Sequence, residues 1–170
     1  MMIKNIFIYE THEIKYMKKD KSKKILPVNL SDLIDAFESG SVENRYFIDL
    51  ETGEIIYIND YFTDEELKKE IEEGFETRYI EIPYIETEIK YQDMLDFVDT
   101  VKDANLKEKL YIALDGKGAF RRFKDVLLNY PRERERWFKF SNEKMEERVL
   151  EWLESENYEI KDTLRHKKQN

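Results

Sequence analysis

Tyr46-Phe47-Ile48-Asp49-Leu50-Glu51-Thr52-Gly53-Glu54-Ile55-Ile56-Tyr57-Ile58 is the stretch that decides the fold. Two runs rich in β-branched and aromatic residues flank a polar connection, in which Gly53 can adopt the positive φ of a tight turn. The reading is a β-hairpin. Farther on, Tyr79-Ile80-Glu81-Ile82 alternates apolar and polar positions as a third strand. Pro83 at its end cannot donate a ladder hydrogen bond, which places that strand near a sheet edge.

Helical patterns surround these strands. Leu30, Leu33, Ile34 and Phe37 recur at i, i+3, i+4 and i+7, with Asn29 or Ser31 to cap the start and Gly40 to end it. Thr63 and Glu66 have the capping-box spacing ahead of Leu67, Ile71 and Gly74, which predicts a short acidic helix. From about Glu88 the chain reads as helical to its end. One face carries Met94, Val98 and Val101, and the next helix carries Leu106, Leu110 and Ala113 before Gly116 breaks it. Phe120, Phe123 and Leu127 mark a helix from Gly118 to about Asn129; Pro131 starts another, and Ser141 or Asn142 opens a last one with Met145, Val149 and Trp152. An N-terminal helix and small antiparallel sheet followed by a helical C-terminal half is an α+β order, without the strict alternation of a parallel α/β sheet.

The expected organisation is a lysine-rich N-terminal arm over 1–27, a single α+β domain over 28–160 and a polar tail over 161–170. The arm includes a strand-prone run at 3–9. A weak seam lies near 83–90, and no internal repeat or Pro/Gly/Ser-rich linker divides the chain. At 170 residues the chain can bury one substantial core, and the absence of cysteine removes disulfides, thiolate metal sites and cysteine nucleophiles together. A cytoplasmic address is the expectation, since no window approaches the roughly 20 apolar residues of a membrane span.

Charge is unevenly spread. Residues 29–103 hold 6 Lys and Arg against 22 Asp and Glu, whereas residues 104–170 hold 16 against 13. The acidic middle repels a phosphate backbone, which confines any nucleic-acid reading to the lysine-rich start or the C-terminal portion. The plain alternative is that the two oppositely charged sections face each other within the fold.

Few residues are equipped for catalysis. His12 lies in the arm and His166 in the tail, each without a nearby histidine or cysteine, so neither a zinc site nor a histidine triad is expected. No cofactor is called for. The sharper candidates begin at Asp115-Gly116-Lys117-Gly118, where two glycines precede a helix and could present backbone N–H groups to an anion beside Lys117, Arg121 and Arg122. The stretch lacks the spacing and hydroxyl of a phosphate-binding loop. From Lys117 to Lys139 there are eight basic and three acidic residues, interleaved with Trp137, Phe138 and Phe140. Such a mixture suits an acidic surface or single-stranded nucleic acid. Helical spacing instead puts Trp137 and Phe140 on one face, as core residues would be.

Leu30-Ser31-Asp32-Leu33-Ile34-Asp35-Ala36-Phe37-Glu38, the hairpin turn Leu50-Glu51-Thr52-Gly53-Glu54, Gly118-Ala119-Phe120-Arg121-Arg122-Phe123-Lys124-Asp125, Glu135-Arg136-Trp137-Phe138 and Glu151-Trp152-Leu153 resemble the bacterial uncharacterised protein family 158. The resemblance spans about residues 28–160 and implies a domain extent, with no activity attached. The functional expectation is therefore a non-enzymatic intracellular binding or regulatory module, offering Lys117, Arg121, Arg122, Lys124, Arg132 and Arg136 to an acidic protein partner. A nucleic-acid-binding protein is the second reading, and an enzyme acting on a phosphorylated small molecule at the glycine turn the third. The oligomeric state is not set by the sequence.

Overall fold

The computed structural model describes residues 22–160. The strand-prone run at 3–9, His12, His166 and the polar tail lie outside the described residues. Three strands form an antiparallel sheet in the order β3-β2-β4: β2 is Asn44–Asp49, β3 Ile55–Asn59 and β4 Tyr79–Ile82. The hairpin stands as read, with Gly53 at φ 78°. A Cβ there would lie 2.3 Å from the carbonyl oxygen of Pro27, so the turn needs glycine for both its conformation and its clearance. The third strand takes an edge, antiparallel to β2.

Alternation along β2 serves two cores. Ile48 packs into a cluster with helix α1 (Leu30–Ser39), whereas Phe47 joins Ile58, Ile71 and Tyr79 under helix α2 (Glu65–Glu73) on the other face. Asn29 caps α1 by accepting from the Asp32 N–H at 2.8 Å. At the start of α2 the expected role of Thr63 falls to Asp64, which accepts from the Glu66 N–H at 2.8 Å. Thr63 instead accepts the Asn59 N–H with its hydroxyl at 2.8 Å, because the loop from β3 must close before the helix can begin.

Asp49 ties the hairpin turn to β4. Buried at 3% exposure, its carboxylate accepts from Arg78 at 2.7 Å and from the backbone N–H of Glu51 at 2.8 Å. The Arg78 hydrogen bonds outweigh the burial that opposes them and, helped by the Glu51 and Thr52 N–H groups, bring its pKa down from 3.8 to about 2. A group lowered on folding contributes stability above its unfolded value and loses it as pH falls through the folded one. Wild-type protein is therefore expected to exceed Asp49→Asn in urea resistance by a constant margin above about pH 5, a margin that shrinks from about pH 4 toward pH 2. Urea midpoints measured across that range check it, and a margin that does not vary with pH would refute the assignment.

The helical half contains α3 (Thr87–Thr100), α4 (Ala104–Leu114), α5 (Ala119–Leu127) and α6 (Pro131–Ser155). Where two helices are expected after Pro131, the structure has one of 25 residues. Ser141 and Asn142 can cap a helix, yet neither breaks one, and apolar positions continue past them on both sides. This long helix joins two clusters. Trp137 packs with Phe97 and Phe123, while Met145, Val149 and Leu153 pack with Leu26, Leu33 and Phe37. Between these contacts Arg148 donates to the buried Asp93 of α3 at 2.6 and 2.7 Å.

A further strand corrects the expectation of helix to the end. Asn157, at φ 61°, turns the chain into β5 (Tyr158–Ile160), which pairs in parallel with β1 (Lys24–Leu26). Leu26 and Ile160 face each other across that pair and both are fully buried. Regular structure thus reaches into the segment read as an arm. Among the described residues the fold is α+β with a helical C-terminal half, and no helix is long and apolar enough to cross a membrane.

Candidate functional site

Five of the six expected site residues lie on two consecutive helices, α5 and α6, and Lys117 lies in the turn before α5. Leu114 closes α4, Gly116 and Gly118 both take φ 77°, and Gly118 starts α5 with no side chain capping it. Left-handed backbone at both positions turns the chain sharply, so that α5 folds back along α4. A Cβ built on either glycine would meet nothing within 4 Å. The turn therefore stands open on the surface.

The six candidate cations divide into two groups. Arg122 donates to the carbonyl oxygens of Ala113, at 3.1 Å, and of Asp115, satisfying acceptors that the end of α4 leaves open. Arg136 donates to Glu133 at 2.6 Å and to the Thr100 hydroxyl, and its guanidinium lies 5.0 Å from the centre of the Phe97 ring. These two are fastened to the fold. Arg121 is 89% exposed and reaches only Asp125, four residues along α5, at 3.6 Å. Lys117, Lys124 and Arg132 are exposed and have no hydrogen bond or ion pair among the described residues.

The acidic middle does not neutralise this surface. Among the described residues its ion pairs with the C-terminal section are Asp93 with Arg148 and Asp99 with Lys107 at 3.4 Å, and neither involves a candidate cation. Arg45, Lys68, Lys69 and Arg78 instead pair with acids of the middle section itself.

Most of the interleaved aromatics are committed elsewhere. Trp137 lies 4.9 Å from Phe123 and 5.3 Å from Phe97, ring centre to ring centre, in edge-on contacts that leave it 8% exposed. Phe140 packs against the same cluster. Phe138 remains half exposed, with the Arg134 guanidinium 5.2 Å from its ring centre. One exposed ring does not make the succession of stacking platforms that single-stranded nucleic acid uses.

Two features escape sequence reading. A cleft of about 390 Å³ opens between α2 and the sheet, with Phe47, Ile58 and Ile71 inside and Arg45 and Glu81 at its edge. Its lining comes from separate elements, so no local pattern signals it. The second is the acidic outer face of α6 beyond Phe140, whose signal was present in the spacing of its glutamates. Among the described residues no group of three or more His, Asp or Glu side chains is placed to hold a metal ion.

Residues 23–168 match the family described as Uncharacterised protein family (UPF0158). The UPF0158 protein PA5073 of Pseudomonas aeruginosa is 27% identical over 129 residues, covering 76% of this chain and 82% of that protein. A UPF0158 protein of Chlamydia muridarum is 33% identical over 133 residues, covering 75% of this chain, and one of Chlamydia trachomatis gives the same values. The match spans only 40% of the length of each chlamydial relative. No solved structure matches.

Proposed function

The chain belongs to the uncharacterised protein family UPF0158, and from that premise we propose that it is a non-enzymatic cytoplasmic binding or regulatory module whose α5–α6 surface docks an acidic protein. The observation that carries this reading is the set of exposed cations, Lys117, Lys124 and Arg132, without partners among the described residues. Among the described residues no acid forms an ion pair with Lys117, Lys124 or Arg132, so this surface keeps its field for an external group. A protein suits it better than nucleic acid, because the aromatic rings beside the cations are mostly core.

The test is a pull-down from bacterial lysate with and without nuclease, with captured proteins identified by mass spectrometry. Wild-type chain is compared with Lys117→Glu/Lys124→Glu, two exposed changes that leave the cores intact. Capture of an acidic protein by the wild type, reduced roughly tenfold or more in the variant, is the expected result. Equal capture by both chains, or capture that disappears with nuclease, would overturn the reading.

A further inference from the structure

We propose that two copies of this chain associate through α6, packed antiparallel so that the basic first half of each helix lies over the acidic second half of the other. The inference rests on the α5–α6 surface being a dock for an acidic protein, and identifies that protein as a second copy of the chain.

The outer face of α6 changes sign along its length. Arg132, Lys139, Glu143, Glu147, Leu150 and Glu154 follow one another at spacings of seven, four, four, three and four, which keeps them on one face of a helix about 37 Å long. All six are exposed. Before the midpoint the stripe is basic. Beyond it Glu146 and Glu151 broaden the acidic portion, where Arg148 is occupied with Asp93 and Lys144 is the other cation. This second half lines an open groove of about 650 Å³ that includes the apolar side chains of Phe140 and Leu150.

An antiparallel partner fits that polarity and a parallel one does not. Pairing about Glu143 sets Arg132 opposite Glu154 of the second copy and Lys139 opposite Glu147, the two-fold axis repeats each contact, and the two Glu143 side chains that meet at the axis each keep Lys139 of their own helix as counterion at 3.8 Å. A parallel arrangement would oppose like charges along the whole stripe. The antiparallel contact is self-complementary, so it closes at two copies instead of propagating into a filament. Leu150, 37% exposed, then lies over the aliphatic stem of Arg136 in the second copy. Exposed ion pairs are individually weak, and a single helix face is a small interface, so the dimer's dissociation constant should be roughly micromolar or weaker.

Sedimentation equilibrium of the full chain over a concentration series tests this. Raising salt from about 50 to about 500 mM is expected to weaken the dimer roughly tenfold or more. Arg132→Glu/Lys139→Glu and Glu147→Lys/Glu154→Lys should each be monomeric, with unchanged circular dichroism, because each turns both of the opposed charge pairs into like charges. An equimolar mixture of the two variants should again be dimeric. A wild-type chain that is monomeric throughout, a dimer indifferent to salt and to both reversals, or a mixture that remains monomeric would each overturn the proposal. Should the chain be monomeric while capture from lysate still depends on Lys117 and Lys124, the docking surface stands and its acidic partner is a different protein.

Discussion

Arg148→Leu is expected to lose about 3–5 kcal/mol of folding stability, among the largest effects of any single substitution in this chain. The cost comes from Asp93 more than from the lost attraction. That carboxylate is 6% exposed, and Arg148 grips both of its oxygens. Removing the guanidinium leaves a buried negative charge with no cation. Asp93→Leu/Arg148→Leu should regain much of the loss at pH 7, since two apolar side chains can replace a buried pair at little net cost. Urea unfolding of the three proteins at pH 7 checks the whole pattern. A loss under about 1 kcal/mol for Arg148→Leu would show that the pair is not isolated from water.

Trp137→Ala is the second large effect, about 3–5 kcal/mol, from removing a buried aromatic at the centre of a three-ring cluster. It separates two readings of one residue. Were Trp137 a stacking platform, its loss would weaken ligand binding and leave stability nearly unchanged. As a core residue it should lower the urea midpoint sharply, while Phe138→Ala, half exposed one position later, changes it little. The pair of variants, measured side by side, tests which face of α6 is buried.

The sheet was legible because each of its strands carries its own signal. Period-two alternation and a glycine turn are local, so the hairpin and β4 could be placed without knowing what covers them. The pairing of β1 with β5 was not, because three-residue strands have too little pattern and their partners are more than a hundred residues apart in sequence. The unbroken α6 was misread for a different reason. Ser141 and Asn142 resemble a helix start, and only the packing of Trp137 on one side and Met145 on the other carries the helix through them. As for the candidate site, composition pointed to α5 and α6 but could not rank the arginines. Arg121 and Arg122 are neighbours in sequence, yet helical geometry sends one to solvent and the other to the carbonyl oxygens at the end of α4.

The β1–β5 pair also bears on how the protein is made. Residues 24–26 are among the first of the described segment to leave the ribosome, and their partners at 158–160 are among the last. At about 5–20 residues per second, the nascent chain spends several seconds with Leu26 uncovered, together with the α1 face that packs beside it and awaits Met145, Val149 and Leu153. The α3–α5 helices close on mostly local contacts and can form during that interval. Translation thus leaves one half of the molecule folded while the other still exposes its core, and a chain cut short before Asn157 would keep that apolar surface open to chaperones, proteases and aggregation.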